Sequence, residues 1–251
     1  RTARSTRATA SAKKCLAYYE DYFASPYPLE KLDLLAIPDF AAGAMENWGA
    51  ITFRENLVLV YPGTSSQATI QRVTEVIAHE ITHQWFGNLV TMKWWDDLWL
   101  NESFATYMAY KAMDYYWPQW DVMAEYMIST VFDGMQLDGL RTSHPIKVMV
   151  KKTEEIDELF DAIAYHKGGS VLKMLEGYLD EISFREGLRV YIAKFSYRNA
   201  EAKDLWSALE SAAQKPIVEI MQRYVARVGY PRVSVRQSKK GIVLQQQRFL
   251  F

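Results

Sequence analysis

Residues 67–89 contain no proline, and no glycine before Gly87, while Ile70, Val73, Ile77, Ile81 and Trp85 recur at helical spacing. This run constrains the fold most, because it carries His79-Glu80-Ile81-Thr82-His83, and eighteen residues separate His83 from Glu102. Side chains four apart on a helix project about 40° apart around the axis and about 6 Å along it, so both imidazoles can grip one ion. Two His and a carboxylate, with a fourth position left to water, make a catalytic donor set for zinc. The spacing predicts a helix through His79 and His83. It also predicts a neighbouring helix that brings Glu102 to the same point, since Glu102 precedes the helical run Phe104, Tyr107, Met108, Lys111, Ala112. Glu80 is not needed as a ligand. Next to His79, its carboxylate can take a proton from water that the metal acidifies to a pKa of about 7. The competing reading makes His79 and His83 ordinary core histidines.

A chain of 251 residues can bury a substantial core as one large domain or two smaller ones. Its 49% hydrophobic and 24% charged content is that of a globular protein, and a net charge of −1 gives no reason to expect nucleic acid or an acidic surface as partner. No apolar run reaches membrane-spanning length. The single cysteine, Cys15, rules out an intrachain disulfide and fits a reducing, cytoplasmic setting. The sequon Asn101-Glu102-Ser103 overlaps the expected ligand, which argues against a glycan there and against secretion.

A helix is predicted over 12–23 behind a basic lead-in, Arg1, Arg4 and Arg7, which a processed targeting segment would also resemble. Strands are predicted at 32–37, 48–53 and 56–61, followed by helices at 67–89, 103–117, 121–137, 165–179, 184–194, 202–214 and 216–228. Two further strands, 232–235 and 242–247, flank the Lys239-Lys240-Gly241 turn. The fold class expected is α+β: a small sheet, then a mainly helical lobe with the metal helix at the junction, the zincin arrangement known from thermolysin. Residues 1–230 would form this thermolysin-like catalytic domain. Two strands alone are marginal, so residues 231–251 are expected to be the first strands of a truncated β-sandwich domain.

Several stretches together carry a resemblance: Gly43-Ala44-Met45-Glu46-Asn47, His79 to Asn88, Trp94 to Glu102, Ser143-His144-Pro145-Ile146 and Phe160 to Gly168. The chain resembles the gluzincin zinc aminopeptidases, a family that includes the alanyl and puromycin-sensitive enzymes and leukotriene A4 hydrolase. In finer style it is similar to the tricorn-interacting aminopeptidases. The resemblance implies one zinc ion per chain on His79, His83 and Glu102, with Glu80 as general base and Tyr165 as the donor that stabilises the oxyanion. Glu46 would bind the free α-amine of a peptide, and Gly43, Ala44 and Met45 would let the substrate backbone lie close in β-fashion. A β-rich domain before this segment and a helical domain after the β-sandwich are implied as further parts of the full-length protein.

Three other functions share the zinc chemistry or the ancestry: a thermolysin-type endopeptidase, a leukotriene A4 hydrolase-like dual enzyme, and an inactive scaffold. Among neighbouring residues, His144 reads as a structural hydrogen-bonding residue and His166 as exposed and neutral to mechanism. Ser103 reads as a tolerated replacement for a commoner glycine. The aromatic residues Trp85, Phe86, Trp94, Trp95 and Trp99 read as core packing beside the metal helix.

Overall fold

The computed structural model describes residues 2–251, with side chains from Thr6 onward, so the predicted lead-in side chains of Arg1 and Arg4 lie outside the described residues. Helix α1, Thr2–Phe23, starts well before the predicted residue 12. It buries Tyr19 completely, and that hydroxyl lies 3.1 Å from the carbonyl oxygens of both Ala78 and Met108. One phenol thereby ties α1 to α2, Gln67–Thr82, and to α3, Trp99–Tyr116. Ser66 caps α2 by accepting from the Thr69 N–H at 3.1 Å, which sets where α2 begins.

Helix α3 is buried on nearly all sides, from Trp99 to Met113, so it has no polar face and can carry Glu102 deep into the core. Its Phe104 stacks flat on Phe86, with ring centroids 4.3 Å apart. Loss of that fully buried ring would cost about 3–5 kcal/mol, which makes the stack a principal brace between α3 and the end of α2.

Against this pair lies a three-stranded sheet in the order β1-β3-β2. Strands β1, Asp33–Ile37, and β3, Ala50–Arg54, run parallel, with Asp33 opposite Ala50. The predicted strand at 56–61 does not form: Glu55–Leu57 is a 3-10 turn, and Val58 and Val60 enter the core directly, so packing satisfies this apolar run without strand pairing. The third strand is β2, Ala44–Met45, antiparallel to β3 with Ala44 opposite Phe53 and Met45 opposite Thr52. Arg54 fixes its approach, since Nε contacts the carbonyls of Phe40 at 3.0 Å and Ala42 at 3.1 Å. β2 is an edge strand, and its free side faces the cleft described below.

The helical lobe follows the predicted order with two interruptions. Where one helix was predicted over 121–137, α4, Val122–Tyr126, and α5, Phe132–Asp138, are joined by a π turn, Met127–Val131. A second π turn, Ile163–Lys167, opens α6, Gly168–Leu179. Strand β4, Val90–Met92, follows α2. Helix α7, Glu181–Phe195, leads to β5, Arg198–Ala200, and β4 and β5 form a parallel pair that the sequence reading missed. Then come α8, Ala202–Ala213, and α9, Ile217–Val225. The chain closes with a hairpin of β6, Tyr230–Ser238, and β7, Gly241–Phe249, longer than predicted. The architecture is thus α+β, a small sheet beside a larger helical lobe.

Candidate metal centre

The C-terminal half of α2 places His79 and His83 one turn apart, and the first turn of α3 brings Glu102 to meet them. Nε2 of His79 lies 3.1 Å from Nε2 of His83, and Oε2 of Glu102 lies 3.3 Å from the first and 3.4 Å from the second. Four donors held tetrahedrally at the zinc–nitrogen and zinc–oxygen distances of about 2.0–2.1 Å stand about 3.3 Å apart. The triangle has the edge length that this ion requires. Among the described residues these three are also the one group of His, Cys, Asp or Glu side chains close enough to share a metal.

The tautomer of His83 is set by the turn that ends α2. Its Nδ1 donates to the Phe86 carbonyl at 3.0 Å, so Nε2 is the nitrogen aimed at the triangle. The helix stops at Thr82 instead of running on to Leu89 because Gly87 turns the chain back at φ 124°. A side chain there would sit 3.2 Å from Asn101 Nδ2 and 3.4 Å from His83 Nδ1. The helix predicted over 67–89 runs through this glycine, whereas the observed one ends before it.

The charge balance of the site favours a cation. Burial lowers His79, whereas His83, despite burial, is pushed up to about 10 by the carboxylates of Glu102 and Glu46. Against its own burial, Glu102 is held well below the carboxylate range by His83. The buried Glu102 carboxylate therefore favours one positive charge among the two imidazoles. Glu80 is different, because burial pushes its carboxyl up to about 8 and its Oε2 is buried without a hydrogen-bond partner.

Tyr165 arrives from the π turn Ile163–Lys167, and its ring stacks on His79 at 5.9 Å. Burial and then Glu102 raise its pKa far above the phenol value, so it keeps its proton and can act as a donor. Ser103, read as a tolerated replacement, makes a contact of its own. Its Oγ donates to the Ala164 carbonyl at 2.6 Å, linking the residue after Glu102 to the turn that carries Tyr165. A Cβ at Gly168 would overlap this hydroxyl, which explains the glycine opposite it.

Glu46 follows β2 and lines the same cleft of about 620 Å³ as Gly43, Ala44, Met45, Glu80, Tyr165 and the three ligands. Its backbone carbonyl accepts from Asn88 Nδ2 at 2.8 Å and from Gln84 Nε2 at 3.2 Å, so the end of the metal helix also holds the β2 edge in place. The structure therefore brings every predicted site residue into one cleft. A second recess of about 480 Å³, between α9 and the hairpin, contains none of them.

Residues 7–224 match the peptidase family M1 domain. The chain belongs to peptidase family M1. It is 49% identical over 238 residues to the probable aminopeptidase 1 of Saccharolobus solfataricus, covering 95% of this chain and 30% of that protein. It is 48% identical to aminopeptidase M1 of Arabidopsis thaliana over 237 residues, 94% of this chain and 27% of the relative. With the tricorn protease-interacting factor F2 of Thermoplasma acidophilum the figures are 48% over 238 residues, 95% and 30%. The chain spans about 30% of the length of these relatives. The resemblance drawn from the motifs is borne out.

Two further expectations for this M1 chain need correction. His166 is half-buried, its Nδ1 without a hydrogen-bond partner and 3.9 Å from Asp133, and it lines the cleft from the π turn that also carries Tyr165. Of the aromatic residues assigned to the core, Trp85, Phe86 and Trp99 are fully enclosed. Trp94 is 49% exposed, held at the surface by its Nε1 donating to Val150 O, and Trp95 lines the cleft. Gln84 and Asn88 were missed as supports of Glu46. Their only signal was that both are amides within five residues after the second histidine. No helix among the described residues is long and apolar enough to cross a membrane.

Proposed function

We propose that this M1 chain is the catalytic, thermolysin-like part of a zinc-dependent aminopeptidase that removes the N-terminal residue of peptides. The observation that carries the reading is the position of Glu46 in the same cleft as the His79, His83, Glu102 triangle. A carboxylate fixed there pairs with a substrate's α-ammonium, and only a chain's first residue offers that charge. The triangle would hold zinc, which when bound supplies Lewis-acid polarisation of the scissile carbonyl and acidification of water. Glu80 takes the proton of the attacking water on its free carboxylate oxygen and passes it to the leaving nitrogen. The Tyr165 hydroxyl donates to the developing oxyanion. The unpaired edge of β2, through Gly43, Ala44 and Met45, takes the substrate backbone as an added strand.

Residues 1–230 form this catalytic unit in our reading, and 231–251 begin a β-sandwich. The support is the hairpin itself: Val235, Ile242 and Leu244 are 66–72% exposed, as expected of strands that await a partner sheet. A cytoplasmic setting fits the single, buried Cys15. Hydrolysis of aminoacyl-coumarins by the zinc-loaded chain, with no hydrolysis of their N-acetyl forms, tests the proposal. Equal rates on both substrates would replace it with an endopeptidase.

A further inference from the structure

We infer that His144 and Asp161 form a charged pair that positions Tyr165, a role that rests on the aminopeptidase reading of Tyr165. Nδ1 of His144 faces the Pro145 carbonyl at 2.8 Å, and Nε2 faces Oδ2 of Asp161, also at 2.8 Å. Each ring nitrogen has only an acceptor opposite it, so each carries a proton and the ring is an imidazolium. The other carboxylate oxygen of Asp161 accepts the N–H groups of Ile163 at 2.9 Å and Ala164 at 3.1 Å, and its backbone carbonyl accepts that of Tyr165 at 3.1 Å. One residue thus satisfies the N–H groups that open the π turn, which have no partner within the turn. Ser103 holds the turn from the opposite side, through the Ala164 carbonyl.

The pair therefore decides where the Tyr165 hydroxyl stands, although neither residue lies at the metal triangle. Two charged groups act on His144: Asp161, and Lys167 from the turn itself, whose opposing charge is engaged by Asp138 at 2.7 Å. The hydrogen bond that His144 donates to Asp161 leads, and His144 is raised above the ordinary imidazole value. When the proton leaves at higher pH, one nitrogen becomes an acceptor facing an acceptor. The charge of the pair is then lost, and the hold of His144 on Asp161, and through it on the turn, weakens. Turnover should fall at the pH where His144 titrates.

The test combines imidazole NMR titration of the full chain with pH profiles on an aminoacyl-coumarin substrate. His144 should titrate above about 6.5, and the alkaline limb of kcat should share its midpoint. His144→Gln should lower kcat about 10- to 100-fold, as misplacement of a catalytic group does, with KM within about twofold and zinc content unchanged. Asp161→Asn keeps an acceptor for the two N–H groups but offers an amide donor to His144, so the ring should become neutral and that alkaline limb should disappear. If His144→Gln does not fold, the wild-type titration and the Asp161→Asn profile decide. A normal His144 titration, or an unmoved alkaline limb in Asp161→Asn while Tyr165→Phe is inactive, overturns this inference alone. Full activity in Tyr165→Phe overturns the reading of Tyr165 and this inference with it.

Discussion

His83 Nδ1 donates to the carbonyl oxygen of Phe86 at 3.0 Å, and this one bond fixes which nitrogen of His83 faces the metal triangle. The carbonyl points back because Gly87 adopts φ 124°. Gly87→Ala should therefore act on both stability and metal binding. The left-handed backbone and the contact with Asn101 should cost about 1–3 kcal/mol, read as a lowered Tm. Zinc affinity should fall about 10- to 100-fold, as when an outer partner of a ligand is lost, read by competition with a chelating dye. An unchanged affinity would show that the Phe86 carbonyl does not orient His83.

Glu80→Gln removes the free carboxylate and leaves all three donors in place. The expected loss in kcat is about 10²- to 10⁴-fold, with zinc still near one equivalent by atomic emission. Retained turnover at wild-type zinc content would require another base in the cleft.

Asn88 and Gln84 reach back from the end of the metal helix to the Glu46 carbonyl. Asn88→Ala frees the shorter of the two bonds, worth about 0.5–1.5 kcal/mol. It should raise KM for free aminoacyl substrates a few-fold while leaving zinc content unchanged. A fall in zinc content with KM unaltered would place the role of Asn88 at the metal helix rather than at the β2 edge.

Much of this site can be read from the sequence because its geometry is local. His79 and His83 share a helix face by spacing alone, and Glu102 lies in the first turn of the next helix, α3, beyond the short strand β4. What could not be read depends on contacts remote in sequence. Strand β2 has only two residues, too few for an alternation pattern, and exists because β3 pairs with it. The π turn at Ile163–Lys167 looks like ordinary helix in the sequence. Its extra residue is stabilised by Asp161 and by Ser103, sixty-one positions from Ala164. The predicted strand at 56–61 failed for the opposite reason, since its apolar residues found the core without a neighbour to pair with.

The His144–Asp161 pair also gives stability a pH signature. His144 is raised by its bond to Asp161, so its contribution is complete below the unfolded value of about 6.5 and is lost as pH rises through the folded value. Asp161, partly buried yet bonded to His144, is lowered, so its contribution is present above about 3.9 and is lost as pH falls through the folded value. The Tm difference between wild type and His144→Gln should be largest at about pH 4–6.5 and shrink on both sides. A difference that does not vary with pH would mean that the contact is not ionic.

In the proposed reaction, zinc held by the triangle and the Glu46 carboxylate act together on one bond, the first in a peptide. The most direct measurement compares free and N-acetylated aminoacyl-coumarins for wild type and Glu46→Gln, with and without a chelator. The account predicts hydrolysis of the free substrate only, abolished by the chelator, restored by zinc and strongly reduced in Glu46→Gln. Chelator-sensitive hydrolysis of the acetylated substrate, undiminished in Glu46→Gln, would contradict it.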